Sequence, residues 1–430
     1  MAEQDVIVVH GASVLRGQVE VSGAKNSALK LMPAAILGQG RTTLHNVPLI
    51  SDIDVMADVL RCLGAEVEQD GHDMVVDTAN LNKYETPYEL VSKMRASISV
   101  LGPLIARFGK ARVAMPGGCQ IGARKIDIHL AGLEHLGVRF TTDHGYLKAS
   151  TPKGLHGADI TFDFPSVGAT ENVVMAATVA EGITHINNAA REPEIADLCD
   201  MLCAMGARIS GAGTSCITVE GVSLSDLHPC EHTTVGDRIE AGTFLVAGAL
   251  TGGPVRVEGV QPSFLQAALD KLVEMGCKVE ADEEARVITV SRTKPLHAAN
   301  FATAPFPGFP TDLQAQFMLL SACADGTSLI EENVFENRFM FAAELMRMGA
   351  DIQIEERHAS VCGVNMLEGA PVSCTDLRAG AALVLAGLVA EGKTCVYGVE
   401  HIDRGYEDYV GKLARLGADI KRISLDTDRA

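Results

Sequence analysis

The segment most suited to chemistry is Pro116-Gly-Gly-Cys119-Gln-Ile-Gly-Ala-Arg124-Lys125-Ile126-Asp127-Ile128-His129. Gly117, Gly118 and Gly122 make a loop whose backbone can approach a ligand closely. Cys119 sits within it, beside Arg124 and Lys125. A free thiol ionises at about 8.5, so at neutral pH it is mostly protonated and readily deprotonated. It could act as a general acid or as a nucleophile, or be one more unreactive thiol among eleven cysteines. His129 falls at a helix start and reads as a structural hydrogen-bonder. A second segment, Ser22-Gly23-Ala24-Lys25-Asn26-Ser27, follows the strand-like Gln18–Val21 and opens a helix. A Gly turn, a helix N-terminus and a Lys suit a phosphate, although the P-loop spacing is absent. Pro310-Thr311-Asp312 likewise opens a helix, where Asp312 reads as an N-cap or an ordinary first-turn acid. In His401-Ile-Asp403-Arg404-Gly405, Arg404 could clamp a carboxylate or phosphate, or pair with Asp403. Asp237-Arg238-Ile-Glu240, Glu336-Asn-Arg338 and Asp376-Leu-Arg378 read as ion-pair networks.

The elements that must position these groups repeat. A Leu/Met-Gly phrase recurs at Gly64, Gly137, Gly206, Gly276, Gly349 and Gly417, at intervals of 73, 69, 70, 73 and 68 residues. Each phrase closes an amphipathic stretch and opens an alternating one, as a helix ended by a C-cap glycine does before a strand. A second glycine, at positions 40, 109, 182, 252, 326 and 392, ends a small-residue apolar helix before a β-branched run. Each unit of about 70 residues therefore reads strand, helix, strand, helix, strand. Fourteen residues before the second glycines lie Asn26, Arg95, Gly168, Arg238, Asp312 and Arg378, each near a predicted helix N-terminus. Arg at a helix start opposes the helix dipole, so the pattern points to helix tips gathered about an anion.

Composition narrows the function. With 430 residues, the chain is long enough for two domains. A formal charge of −19, 4% aromatic residues and no Trp argue against a nucleic-acid binder. The longest apolar stretch, near Ala379–Ala390, falls short of the roughly 18 to 20 residues that span a bilayer. The N-terminal residues lack the basic and apolar parts of a secretory signal, which predicts a cytoplasmic chain. The eleven scattered cysteines show no metal-ligand spacing and read as reduced thiols.

These segments, in this order, resemble the enolpyruvyl transferase family, on its UDP-N-acetylglucosamine branch. The resemblance rests on Gly23–Asn26, Met94–Ser97, Gly117–Arg124, Ser166–Thr170, Arg191–Glu194, Asp237–Glu240, Phe309–Gln316, Glu336–Phe339 and His401–Tyr406, and so covers the whole chain. It implies a two-domain inside-out α/β barrel of six βαβαβ-type repeats, pseudo-threefold in each domain. Residues 1–24 plus 236–430 would form one domain and 25–235 the other, with the active site in the cleft between them. The implied reaction moves the enolpyruvyl group of phosphoenolpyruvate to the 3′-hydroxyl of UDP-N-acetylglucosamine. Phosphate leaves by addition and elimination through a tetrahedral ketal, in the first committed step of peptidoglycan synthesis. The resemblance makes Cys119 the acid that protonates the methylene carbon, and the site of covalent modification by fosfomycin. It makes Asp312 the acceptor of the sugar hydroxyl proton. A carboxyl with an ordinary pKa of about 3.9 is a weak base, so attack and proton transfer would be coupled. Lys25, Asn26, Arg124 and Arg404 would bind phosphoenolpyruvate. Arg95, Arg124, Lys125, Ile126, Asp127, Ile128, Phe164, Pro165, Ser166, Val167, Asp312 and Val334 would line the UDP-sugar site. The chain departs from the family pattern at Lys125, where many members have Pro, and at Phe164-Pro165, where some have Lys, which bears on the nucleotide contacts. No metal or cofactor is implied, and the chain would be a monomer without nucleic-acid or membrane partners. A shikimate-type acceptor and a catalytically silent UDP-sugar-binding paralogue are the competing readings.

Overall fold

The computed structural model describes residues 4–91, 94–115 and 126–425. The described residues fall into two compact units, one containing 4–22 and 236–425, the other those from 23 to 235.

In the unit of residues 23 to 235, the helices Lys25–Ala34 and Ser51–Leu63 frame the strand Arg41–His45, and a hairpin of Glu66–Asp70 and Asp73–Asp77 follows. Arg41–His45 pairs antiparallel with the second hairpin arm (Thr42↔Val76) and parallel with Glu231–Thr233 (Leu44↔His232). This order, a parallel pair followed by an antiparallel hairpin, recurs. Five sheets are four-stranded. A sixth, of Lys110–Ala114, Arg139–Asp143 and Tyr146–Ser150, has three strands and a single parallel bridge, Glu85↔Arg112, in place of the fourth. The sequence reading of one strand after each Leu/Met-Gly phrase therefore missed the return arm of a hairpin. Each of these sheets runs from one edge strand to another, so none closes on itself. The architecture shown is α/β with open sheets.

In the other unit, Gln4–His10 inserts between Lys393–Tyr397 and Asp419–Leu425 (Ile7↔Val396, Ile7↔Arg422), and Gly17–Glu20 runs parallel to Val255–Glu258. The first twenty residues thus complete two sheets of the C-terminal half.

All twelve landmark glycines have positive φ, from 65° to 123°. At Gly64, φ is 101° and the N–H caps the Ser51–Leu63 helix by bonding to the Arg61 carbonyl, a geometry that a Cβ would strain. At Gly248, a Cβ would stand 2.8 Å from a Val290 methyl, so the Arg238–Thr251 helix needs the missing side chain to lie on its sheet. That helix, Gln314–Ala322 and Leu377–Val389 are buried on nearly every face and pack on one another, as helices apolar all round must. In the unit of residues 23 to 235, Leu101–Phe108 packs on Val167–Ala177, and the turn Arg95–Val100 packs on both Lys25–Ala34 and Val167–Ala177.

Candidate active site

All six positions found by the fourteen-residue offset stand first or second in a helix or 3-10 turn: Asn26, Arg95, Gly168, Arg238, Asp312 and Arg378. The two arginines that open full helices in the unit of residues 236–425 are each preceded by an Asp cap. Asp237 Oδ1 accepts from the N–H groups of Ile239 (2.8 Å) and Glu240 (3.0 Å), and Asp376 Oδ1 from those of Arg378 (2.9 Å) and Ala379 (3.1 Å). A carboxylate at the cap offsets the repulsion between a guanidinium and the positive end of the helix.

In this unit the turn Thr311–Leu313 presents Asp312 to two guanidiniums. Arg338 Nη2 donates to Oδ1 at 3.1 Å and Arg378 Nη2 to Oδ2 at 3.3 Å. Both arginine side chains are 3% exposed and the Asp312 side chain 24%. Each oxygen has its own donor, so the carboxylate cannot rotate freely. Arg378 also lies over the Tyr406 ring, 5.3 Å from its centroid. Burial alone would lower the Arg378 pKa, but Tyr406, Asp312 and Asp237 more than reverse this, and the net shift is upward. Glu332 accepts from Thr311 Oγ1 (2.9 Å) and from the N–H groups of Val334 (2.8 Å) and Phe335 (3.0 Å), which ties Val334 to the Asp312 turn. Arg404 follows the short helix Glu400–Asp403 and is half-buried. Asp403 is held bidentately by Arg422, at 2.8 Å twice, so the sequence alternative that pairs it with Arg404 does not describe its partner.

In the unit of residues 23 to 235, Lys25 opens the first helix, and its Nζ lies 2.7 Å from Asp52 Oδ2, with both side chains buried. Asn26 follows, half-buried. Lys30 of this helix pairs with Glu171 of the Val167–Ala177 helix at 2.8 Å. Ser166 caps the latter through the Ala169 N–H at 3.4 Å, and Phe164, 39% exposed, lies just ahead of it. The helix Asp127–His135 packs on the same helix, closely enough that a Cβ on Gly168 would stand 2.8 Å from His129. His129 hydrogen-bonds Asn172 at 3.1 Å and is structural, as its sequence context indicated. Lys25, the Arg95 backbone and both expected UDP-sugar segments thus belong to one helix cluster. Cys119, Arg124 and Lys125 lie outside the described residues.

Sequence reasoning missed three partners. Arg338 and Arg378 were read as members of separate ion-pair networks, yet they converge on Asp312. Asp52 carried no signal beyond being an acid in a helix's first turn. Among the described residues, no cluster of His, Cys, Asp or Glu is suited to holding a metal, and no helix is long and apolar enough to cross a membrane. Burial pushes the thiols of Cys199, Cys323 and Cys374 up to about 12, which makes them poor nucleophiles at neutral pH.

The profile of the family described as EPSP synthase (3-phosphoshikimate 1-carboxyvinyltransferase) matches residues 9–413. Relatives named UDP-N-acetylglucosamine 1-carboxyvinyltransferase include one from Trichlorobacter lovleyi, 50% identical over 98% of this chain and 99% of its own length. Another, from Mycobacterium leprae, is 51% identical over 99% of this chain and all of its own. Among solved structures, the enolpyruvyl transferase NikO from Streptomyces tendae superposes with a TM-score of 0.89 at 29% identity, covering 99% of this chain and 100% of that one. EPSP synthase from Acinetobacter baumannii, at 19% identity and a TM-score of 0.75 over 98% of this chain and 100% of its own, shares the fold.

Proposed function

We propose a function from one premise, that this chain belongs to the EPSP synthase family of enolpyruvyl transferases. The chain is a transferase that moves the enolpyruvyl group of phosphoenolpyruvate to the 3′-hydroxyl of UDP-N-acetylglucosamine, releasing phosphate, in the committed step of peptidoglycan synthesis. The observation that carries the choice of acceptor is the near-full-length identity of 50 to 51% to relatives bearing that name. The family architecture, an inside-out barrel of six repeats in two pseudo-threefold domains, is proposed with it, and so is a monomer in the cytoplasm.

The held carboxylate of Asp312 supports a base whose lone pair faces the acceptor hydroxyl. As the hydroxyl oxygen attacks C2 of phosphoenolpyruvate, its proton passes to Asp312 while C3 takes a proton from Cys119. The C2=C3 bond becomes a single bond, and a phosphate-bearing ketal forms. The Cys119 thiolate then takes back a C3 proton, the C–H pair restores the double bond in the product, and phosphate leaves C2 with the C–O pair and takes up the proton held by Asp312. Phosphoenolpyruvate carries nearly three negative charges. Lys25, Arg124 and Arg404 neutralise them, and Asn26 orients the molecule. The UDP-sugar lies along Arg95, Arg124–Ile128, Phe164–Val167 and Val334.

Phosphate release from phosphoenolpyruvate tests this reading. Release that requires UDP-N-acetylglucosamine supports it. Release with shikimate 3-phosphate instead, or with no acceptor tried, overturns it. Fosfomycin is expected to add covalently to Cys119, and a Cys119 peptide without the adduct by mass spectrometry would remove the thiol from the proposed role.

A further inference from the structure

The helix that carries Lys25 has no cap of its own. Its N-cap residue is Ala24, no side chain bonds to its first N–H groups, and its first turn holds no acid. Most helices place Ser, Thr, Asp or Asn at that position to satisfy those groups. Ser27, in the first turn, turns its hydroxyl away from its own helix and donates to Asp197 Oδ2 in a short hydrogen bond. The turn is therefore placed by bonds from outside: Ala24 N–H to the Val235 carbonyl at 2.7 Å, Ser27 to Asp197, and Lys25 to Asp52.

Asp197 is the centre of this arrangement. It projects from the helix Pro193–Ala204, and its side chain is 3% exposed. Besides Ser27, it accepts from His232 Nε2 at 2.7 Å and from the Val235 N–H at 3.4 Å. His232 lies on the strand Glu231–Thr233, and the next residue, Thr234, is bonded through its carbonyl to Asn46 Nδ2 at 2.9 Å. One buried carboxylate thus joins three segments: its own helix, the first turn of the Lys25 helix, and the chain at 232–235. A buried carboxylate needs such donors to be tolerated at all. It also fixes where the turn, and with it the lysine, must sit.

We propose that Ser27, Asp197 and His232 form a positioning group that holds Lys25 in register with Asp52. Neither Ser27, Asp197 nor His232 contacts a substrate in this proposal; all three act through Lys25. Its consequence for phosphoenolpyruvate rests on the function proposed above. Loss of one charge-assisted bond weakens binding about tenfold.

The test is acetylation of the folded full-length protein with acetic anhydride, read by mass spectrometry as the Lys25 to Lys30 rate ratio. Lys30 lies on the same helix and reports general loosening. Ser27→Ala, Asp197→Asn and His232→Leu are expected to change that ratio about tenfold, by the loss of the bonds above. His232→Gln, which retains a side-chain donor, is expected to leave it near the parent value. The variants that change the ratio also raise the KM for phosphoenolpyruvate with kcat little altered. If Ser27→Ala and His232→Leu fold and leave the ratio at the parent value, the proposal is overturned, whatever Asp197→Asn does to folding. A parent protein that releases no phosphate overturns the functional reading, while the labelling ratio still decides the positioning group.

Discussion

The two units place their reactive charges by different grips. In the unit of residues 236–425, a carboxylate is held by two buried guanidiniums, one to each oxygen. In the unit of residues 23 to 235, an ammonium is held by one buried carboxylate. The first group carries a net charge of +1 and the second is neutral, counting only the residues in those ion pairs. Two donors in fixed directions lock the rotation of a carboxylate, which suits a base that must meet one proton along one line. A lysine on a flexible stem, with three rotatable donors, can turn its hydrogen bonds toward an arriving anion. On the proposed function, the difference is that between a group aimed at a reacting atom and a group kept for a charged substrate.

The largest effect expected from this contrast is at Asp312. Asp312→Asn preserves shape and removes the basic lone pair, so phosphate release should fall by about 100-fold to 10,000-fold, the usual span for a general base. One of Arg338 and Arg378 would keep the amide oxygen as acceptor while the other would face the NH2 donor, so circular dichroism must show a persisting fold before the loss is assigned to the base. A loss below tenfold would break the comparison, because the double grip would then be aiming a group that chemistry does not need.

How much of this could be read in advance differs along the chain. Helix starts and ends were legible, because glycine at a left-handed C-cap is a local requirement and the offset of fourteen residues is a local distance. Asp312 and Lys25 were legible as residue types at helix starts, and Arg404 as a loop arginine beside a glycine. Their partners were not. Arg338 and Arg378 lie 26 and 66 residues from Asp312, and Asp52 lies on the helix after that of Lys25. Arg378 comes from the next repeat, which no pattern within one repeat can show, and Asp52 and Arg338 meet their partners through packing inside a repeat that periodicity does not specify. The hairpin return arms were missed for a simpler reason: Glu66–Asp70 and Asp73–Asp77 are separated only by Gly71 and His72, so one alternating run hid two strands. The insertion of Gln4–His10 between two C-terminal strands has no local signal at all. That placement came from the resemblance.

A smaller effect concerns two buried glutamates, one in each unit, each paired to a lysine. Glu240 meets Lys412 at 2.6 Å and Glu171 meets Lys30 at 2.8 Å. Burial outweighs the lysine in both and raises each carboxyl to about 7 from 4.5. Between these values the folded state keeps a proton that the unfolded state has lost. Stability therefore falls as pH rises from 4.5 to about 7 and is level beyond, by about 3 kcal/mol for each acid. Urea unfolding of Glu171→Gln and Glu240→Gln at pH 5 and pH 8 should each show a drop smaller than the parent's by that amount. The comparison sharpens if the two changes are equal. It breaks if only Glu240 contributes, since Glu240 also accepts the Ser22 N–H at 2.8 Å and Lys412 also bonds Ser22 Oγ at 2.8 Å.

The smallest effect separates two buried polar networks of the cores. In the unit of residues 236–425, Tyr406 Oη lies 3.0 Å from Thr243 Oγ1 and accepts from Gln316 Nε2 at 3.3 Å. Thr243 Oγ1 also donates to the Ile239 carbonyl at 2.8 Å and accepts from Gln316 at 3.1 Å. Tyr406→Phe removes one hydroxyl but leaves these latter two bonds in place, so the cost should be about 1 kcal/mol. The ring under Arg378 remains, and turnover should change little. In the other unit, Asn172 has no such reserve. Its Oδ1 accepts the buried Gly102 N–H at 2.8 Å, and its Nδ2 meets His129 Nδ1 at 3.1 Å. Asn172→Leu leaves that N–H without its acceptor, a penalty of about 1 to 3 kcal/mol on top of the lost bond. Thermal unfolding of the two variants should therefore place Tyr406→Phe nearer the parent. The reverse order would mean that the phenol hydroxyl, and not the ring, holds Arg378 over its site. The grip on Asp312 would then be three-membered, with Tyr406 acting on the carboxylate through Arg378.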